Sequence, residues 1–266
     1  MNYREFRPHP RLARDVKLIG SLEADAPAGA APPHRILPDG IVEVVIHYRD
    51  PYRMRYAGEP WRRQPSSLAV SQTKRFLEIE PAGKSGFVAI RFFPWGARRF
   101  FRVPVREIAD RAIDAHELWG GPVRELEERI ASASSASERV ALVEAFLQER
   151  FDGRALDVVD FGLRRIWAQG GRLSVRRLSA SLSISERSLE RKFRESVGAS
   201  PKRMMRLARL LSTCKQLRAE AVNLTVLAHD AGYFDQSHFI RECQELSGLT
   251  PGQLAARNDV SFFELS

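Results

Sequence analysis

Ser185–Phe193 reads SERSLERKF, and fifty residues later Asp235–Cys243 reads DQSHFIREC. Each stretch begins with a residue type that favours a helix N-cap, and each has an arginine at its seventh position. Each is followed at the same distance by Gly-x-(Ser/Thr)-Pro, at residues 198–201 and 248–251. Such a pattern at a fixed offset indicates two copies of one supersecondary unit.

The segments that precede these stretches repeat with a different offset. Ser174–Ser179 resembles Asn223–Ala228 at an offset of 49 rather than 50. The second copy therefore has one additional residue in its turn. Each copy is predicted to be a short helix, a turn and a second helix that stops at Gly-x-(Ser/Thr)-Pro.

The second helix of the first copy, predicted over Glu186–Val197, has two different faces. Its apolar residues recur at i, i+4 and i+8 and should pack inward. The opposite face presents Arg187, Glu190, Arg191 and Arg194. Two short helices whose second presents arginines fit the DNA major groove, where the arginine fork can bond guanine O6 and N7. A solvated helix face is the alternative interpretation.

A long helix is predicted to join the two units. Pro201 begins it at the first position, where the missing N–H has no cost. Basic residues are expected on its unpacked surface: Lys202, Arg203, Arg206, Arg209 and Lys215. Such a helix would hold two reading units at a fixed spacing, as two successive major-groove turns about 34 Å apart require.

Positive charge is concentrated in the first copy and the joining helix. The chain has a net charge of +9 and a pI of about 10.0. Residues 172–218 hold thirteen basic and three acidic residues, whereas residues 219–266 hold two basic and seven acidic ones. Phosphate contacts are therefore expected mainly from the first unit and the joining helix, with Arg176, Arg177 and Lys192 among them.

Residues 172–257 resemble the double helix-turn-helix domain of the arabinose-operon regulator (AraC/XylS-type) family of bacterial transcription factors. The resemblance is carried in the second copy by Ala231-Gly232-Tyr233, Asp235–Phe239, Gly248 and Thr250-Pro251, and in the first by their counterparts. It implies sequence-specific binding to double-stranded operator DNA and recruitment or modulation of RNA polymerase. By position it assigns base reading to Arg187, Glu190 and Arg191 in the first unit. In the second unit it assigns base reading to Gln236, Ser237, Ile240 and Arg241.

The chain departs from the family pattern in the second unit. Cys243 stands where the family usually has a core phenylalanine, Gln244 where it often has a basic residue, and Phe234 where it has a small polar residue. Because Cys243 takes the place of Phe193, it is predicted to be a structural core residue. Glu190 is expected to accept from cytosine N4 or to hold Arg187 or Arg194 in register.

The first 150 residues are predicted to be mostly β and then helical. Strands are predicted over residues 41–48, 76–80 and 87–93, with shorter ones at 54–56 and 68–71, and the proline-rich segment 25–40 is predicted to be a loop. Helices are predicted over 123–133, over 138–151 with Ser137 as the cap, and over 155–168. Several short strands at this spacing favour a barrel or a sandwich.

Residues 34–40 and 91–96 are similar to the cupin-like sensor domains of a subgroup of these regulators. The predicted fold is therefore α+β, with an N-terminal cupin-like β-barrel and flanking helices and a C-terminal all-α double helix-turn-helix. The expected divisions are a sensor or dimerisation domain at 1–152, a connection at 153–171, the DNA-binding domain at 172–257 and a tail at 258–266. The family analogy implies an unknown small-molecule effector and a homodimer.

Glu43, His47 and Arg91 alternate with apolar residues on the predicted strands. This alternation favours the solvated face of half-buried strands, and an effector-binding site is the alternative. Trp61, Trp95 and Trp119 are expected to be packing anchors. A cupin metal site usually needs a His-x-His pair, which this sequence lacks, so neither a metal nor a cofactor is expected.

Several classes of protein are excluded by composition. No apolar run reaches the roughly 18 residues of a membrane span, and two cysteines cannot form a disulfide framework. No nucleophile motif or phosphate loop indicates an enzyme, and a cytoplasmic location is expected. Three hypotheses remain: a ligand-responsive regulator, an effector-independent regulator whose N-terminal half only dimerises, and an enzyme fused to a DNA-binding module.

Overall fold

The computed structural model describes residues 2–25, 32–71, 74–219, 223–257 and 260–261. Its N-terminal half is built from antiparallel sheets and its C-terminal half from helices, so the predicted α+β class is confirmed. In chain order the strands are β1 (Asn2–Phe6), β2 (Val16–Ala24), β3 (His34–Ile36), β4 (Val42–His47), β5 (Arg53–Tyr56), β6 (Arg62–Arg63), β7 (Ser67–Ser71), β8 (Leu77–Glu80), β9 (Ser85–Phe92), β10 (Arg111–Asp114) and β11 (Val260–Ser261).

The strands form two sheets that share an interior. One has the order β1-β2-β9-β4-β7-β10 and the other the order β11-β3-β8-β5-β6. Strand β4 shows how they pack: Val44 and Ile46 point to one core, while Val45 packs against the side chains of the second sheet. The sheets are open at their edges, which is compatible with a cupin-like arrangement.

The predicted strands are all present, but the loop predicted over residues 25–40 contains β3, and residues 26–31 of it lie outside the described residues. Strands β1, β2, β6 and β10 were not predicted. In the predicted tail, Val260 pairs with Arg35 and Ser261 with Ile36, so β11 adds a parallel strand to the N-terminal half. The remainder of the tail lies outside the described residues.

Three helices cover the outer face of the larger sheet: α1 (Ala115–Trp119), α2 (Pro122–Ser132) and α3 (Ala136–Arg150). Their buried residues, which include Trp119, Leu126 and Leu147, pack with Val44 and Ile46 in one core. The cap of α3 is Ser135 rather than the predicted Ser137. The Ser135 hydroxyl accepts from the Glu138 N–H at 3.2 Å, so the helix already includes Ser137.

The C-terminal half contains α4 (Val158–Ala168), α5 (Val175–Ser181), α6 (Glu186–Val197), α7 (Pro201–Ala219), α8 (Leu224–Asp230), α9 (Gln236–Ser247) and α10 (Pro251–Ala256). Helices α5 and α6 form the first repeated unit, and α8 and α9 the second. Ser174 and Ser185 cap the helices of the first unit, and Asn223 and Asp235 cap those of the second. The apolar stripe predicted for α6, which is Leu189, Phe193 and Val197, is buried, and so is a stripe of α7 that includes Met204, Leu207, Leu211 and Cys214.

Buried arginines join the two halves of the chain. Arg98 donates to Asp157 at 2.7 Å and to Asp160 at 2.9 Å, and Arg99 pairs with Asp15 at 3.1 Å and with Asp160 at 3.8 Å. The carboxylates of Asp157 and Asp160 also form the capping box that begins α4, three residues later than predicted. Burial raises the pKa of Asp157, but hydrogen bonds from Arg98 and from backbone N–H groups outweigh it and lower this pKa to about 2.

The N-terminal half also contributes to the core of the helical half. Leu37 lies in the same buried cluster as Phe193 and Met204. The Phe193 ring approaches α4 so closely that a Cβ at Gly162 would lie 2.9 Å from it. A core of this density has little space for a larger side chain at Gly162. The first repeated unit is therefore packed on α4, and Arg98 and Arg99 hold α4 against the sheets.

Cys243 is fully buried in this core, as predicted. Burial raises the pKa of its thiol to about 11, so the reactive thiolate is disfavoured. We expect Cys243→Ser to lower the free energy of unfolding by about 1–3 kcal/mol, because a hydroxyl costs more to desolvate than a thiol even with the Ser247 hydroxyl 3.7 Å from Sγ. Urea unfolding measures this, and Cys243→Ala separates it from the effect of reduced packing. Sensitivity of DNA binding to mild oxidant that Cys243→Ala abolishes would contradict a purely structural role.

Candidate nucleic-acid interface

The turns of the two repeated units have the same backbone arrangement, except that the second turn contains one additional residue. Ser183 and Gly232 both have positive φ, at 54° and 77°. The next residue in each, Ile184 or Tyr233, donates its N–H to a carbonyl five residues earlier. In the first unit the N-cap follows at once, whereas in the second it follows after Phe234. The additional residue that the change of offset predicted is therefore Phe234.

Helix α6 presents its basic face to solvent along its first turns. Arg187 and Arg191 are exposed opposite the buried Leu189, as predicted. Arg191 pairs with Glu195 at 3.0 Å, and Arg194 pairs with Glu190 at 2.9 Å. Glu190 thus holds Arg194, one of the two arginines considered for it. Within the described part of the chain, Arg187 has no ion pair.

The opposite end of α6 is covered by the N-terminal half. Arg106 donates to the carbonyl oxygen of Glu195 at 3.0 Å, and Arg98 donates to the Ser196 hydroxyl at 3.2 Å. A Cβ at Gly198, the residue after α6, would lie 2.6 Å from the side chain of Ala109. The contact leaves the N-terminal turns of α6 open, and those turns are the part that helix-turn-helix proteins place against base edges.

The predicted phosphate contacts of the first unit lie on two helices. Arg176 and Arg177 are exposed in the first turn of α5, and Lys192 is half-buried on α6. None of the three has an ion pair in the part of the chain that the structure describes.

Helix α9 places its predicted reading residues on its first turns. Ser237 and Arg241 are exposed, and Ile240 is half-buried. The side-chain Oε1 of Gln236 accepts from the Thr225 hydroxyl at 2.8 Å, which joins the first turns of α8 and α9. The first two turns of α9 therefore expose one cation, Arg241, and no anion.

The basic residues of α7 form only part of the solvated surface that the sequence predicted: Lys202 and Lys215 are exposed, whereas the arginines are paired with carboxylates. Arg206 pairs with the buried Glu242 at 2.6 Å and with Glu245 at 2.5 Å, and Arg209 also pairs with Glu242 at 3.4 Å. Arg203 lies 3.4 Å from Glu245. The side chains of these arginines are only 17–22% exposed, because the carboxylates of α9 hold them against α7.

Comparison with known proteins agrees with this organisation. Residues 178–257 match the family model of a helix-turn-helix domain. They form an AraC-type helix-turn-helix domain. This type of domain binds DNA in transcription regulators, which are generally not enzymes. Residues 4–114 match a domain of unknown function (DUF6597). No curated protein is similar enough in sequence to count as a relative.

Solved structures of ToxT from Vibrio cholerae share the fold along most of the chain. An apo form superposes with a TM-score of 0.50 and 11% identity, covering 90% of this chain and 96% of ToxT. A form bound to (E)-4-(8-methylnaphthalen-1-yl)but-3-enoic acid gives a TM-score of 0.50 at 9% identity, covering 96% of this chain and 98% of ToxT. At these identities the likeness concerns the fold alone.

The residues considered for effector binding are not on a solvated face. Glu43 and Arg91 are each 3% exposed and His47 is 6% exposed, so the solvated-face interpretation is wrong. Glu43 and Arg91 lie opposite each other on β4 and β9 and pair at 3.1 Å. His47 bonds instead to Gln64 at 2.8 Å and packs edge-on against Phe87. The alternation of polar and apolar residues correctly placed Glu43, His47 and Arg91 on one face of the sheet. It did not predict that the second sheet covers this face.

Asp39 adds a second buried carboxylate near this pair. Its Oδ1 accepts from the Ile41 N–H at 2.9 Å, and the next residue, Gly40, packs against Met204 of α7. Burial raises the pKa of Asp39 to about 7, against the opposing effects of the Ile41 N–H and the charge of Arg91. Burial also raises the pKa of Glu43. The charge of Arg91 is thus shared by two carboxylates.

Other candidate sites are not assembled among the described residues. No three side chains of the metal-binding types come together there. Of the predicted packing anchors, Trp119 is buried, whereas Trp61 and Trp95 are half-buried beside arginine side chains. No helix in the described ranges is long and apolar enough to cross a bilayer.

Asp39→Asn is expected to remove a pH-dependent contribution to stability. The folded pKa lies above the usual value of 3.8, so the contribution of Asp39 is fully present below about pH 4 and is lost as the pH rises through 7. Asparagine keeps the acceptor for the Ile41 N–H. Between pH 4 and pH 8 the free energy of unfolding of Asp39→Asn, measured in urea, should rise relative to wild type by about 4 kcal/mol. Equal pH profiles would contradict a protonated Asp39, and Asp25→Asn at an exposed position is the control.

Proposed function

We propose that the chain is a sequence-specific transcription regulator that reads two successive turns of the major groove of operator DNA with α6 and α9. The observation that carries the proposal is the pair of equivalent units whose reading helices both leave their first turns open. Helix α7 has 19 residues and is about 28 Å long, which suits a rigid connection between two readers.

Arginines of the first unit are proposed to read bases. Arg187 has an unpaired guanidinium among the described residues and lies nearest the start of α6. Arg191 is proposed to leave its exposed ion pair with Glu195 and to bond a guanine instead. A surface ion pair of this kind contributes little to stability, so breaking it costs little free energy. Gln236, Ser237, Ile240 and Arg241 are proposed to read the second half-site, and Glu190 positions Arg194.

A small molecule is proposed to modulate the regulator through its N-terminal half. The ligand-bound ToxT structure, which shares the fold, motivates this step. Glu43, His47 and Arg91 remain the proposed effector residues, and their burial requires the two sheets to separate for entry. The second candidate is an effector-independent regulator whose N-terminal half only dimerises. A ligand that raises the melting temperature of the protein would favour the first candidate over the second. For both candidates the proposed protein partner is RNA polymerase, and the proposed location is the cytoplasm.

The test of DNA reading is selection of bound sequences from a random duplex pool by wild type and Arg191→Ala. The variant should lose about 1–3 kcal/mol at a single base position and relax the preference there, because one bidentate pair of hydrogen bonds to a base is removed. Arg102→Ala, at an exposed position of the N-terminal half, is the matched control. A uniform loss of affinity across all sequences would assign Arg191 to phosphate binding, and no enrichment by wild type would overturn the proposed function.

Salt dependence tests which unit contacts phosphates. Joint neutralisation of Arg176, Arg177 and Lys192 should reduce the slope of log K against log salt by about 2–3, because each phosphate that is no longer neutralised accounts for about 0.9 of the slope. Neutralisation of the exposed Lys84, Arg102 and Arg124 in the N-terminal half makes the same change in charge and should leave the slope unaltered. A slope that responds equally to both triple variants would show that net charge alone drives binding.

A further inference from the structure

We propose that Phe234 is a specificity residue of the second unit that contacts the C5-methyl group of a thymine in the major groove. This inference rests on the proposed function. It assigns a contact to a residue that has no counterpart in the first unit, because the equivalent turn of that unit passes directly from Ile184 to the N-cap Ser185.

The side chain of Phe234 is exposed to an unusual degree. It is 93% exposed, more than the other exposed large hydrophobic residues of the described chain, Phe161 at 51% and Val226 at 54%. An exposed aromatic ring in water gains free energy when a partner covers it. A single exposed apolar residue is common on protein surfaces, so it is the position of this ring that indicates a partner.

The residues on both sides of Phe234 are held by tertiary contacts, so the backbone position of Phe234 is fixed. Tyr233 is 4% exposed and its ring packs against Phe239 at 5.0 Å and beneath the Arg209 guanidinium at 4.5 Å. Asp235 caps α9 by accepting from the His238 N–H at 2.6 Å. A side chain on an ordered turn loses less entropy when it binds than one on a mobile loop.

The position of Phe234 selects DNA as the partner. It directly precedes the N-cap of α9, and the N-terminal residues of a recognition helix are the ones that approach base edges. The Thr225–Gln236 hydrogen bond places the first turn of α8, which carries the exposed Val226, beside the same end of α9. Phe234 therefore belongs to the edge of the second unit that faces the groove.

The charge of the second unit selects an apolar contact. Glu242 and Glu245 of α9 hold arginines of α7, and Arg241 is the exposed cation on the reading helix. Ionic contacts can therefore supply little of the affinity of this unit. The thymine C5-methyl group is the apolar feature of the major-groove edge, and phenylalanine is among the side chains that contact it.

The test replaces thymines by deoxyuridine, which removes only the methyl group. A duplex selected by wild type from a random pool is remade with each thymine of the second half-site substituted in turn, and Kd is measured for wild type, Phe234→Ala and Phe161→Ala. At one position the substitution should weaken wild type about fourfold, the effect of one buried methyl group. It should leave Phe234→Ala unchanged, and Phe161→Ala should behave as wild type. Phe234→Leu should recover part of the effect.

Each other outcome overturns the proposal. Equal sensitivity of wild type and Phe234→Ala to every deoxyuridine, or no sensitivity in either, means that Phe234 does not contact a thymine methyl group. Loss of self-association by Phe234→Ala in sedimentation, with DNA binding intact, means that its partner is a second copy of the chain. A wild-type chain that selects no sequence overturns the proposed function as well, whereas the preceding outcomes leave that function standing.

Discussion

The structure depends on the pairing of Arg98 and Arg99 with the buried carboxylates of Asp15 and Asp160. Removing one member would leave an uncompensated charge in the interior, which typically costs about 3–5 kcal/mol. The network fixes the first turn of α4, and α4 in turn supplies the surface on which Phe193 packs. The position of the first reading helix relative to the sheets is thus set by charges that lie outside the helix-turn-helix units.

The helical half was largely predictable because its signals are local. Ser174, Ser185 and Asp235 are caps whose effect extends over three residues, and the stripe of α6 repeats within three turns. The contacts that orient this half are not local: Arg98 and Asp160 are 62 residues apart. No periodicity within either segment indicates that they meet.

Strands were missed where they lack the pattern of a half-buried sheet. Strand β1 is a mostly exposed edge strand, and β2 is buried through its middle without alternation. For Glu43 and Arg91 the alternation was correct, but their burial depends on a second sheet that other segments build. The sequence of an alternating strand therefore shows which face of the sheet a polar residue lies on. Only the tertiary structure shows whether that face is exposed to solvent or buried.

The C-terminal strand changes how the DNA-binding helices are held. They follow α4, which the arginine network fixes to the sheets, and they precede β11, which pairs with β3. A body attached at one point can pivot about three axes, whereas a body attached at two points turns only about the line through them. The contacts of Arg106 with the end of α6 and of Leu37 within the helical core oppose that remaining rotation, so the DNA-binding helices can turn as one body only if those contacts break.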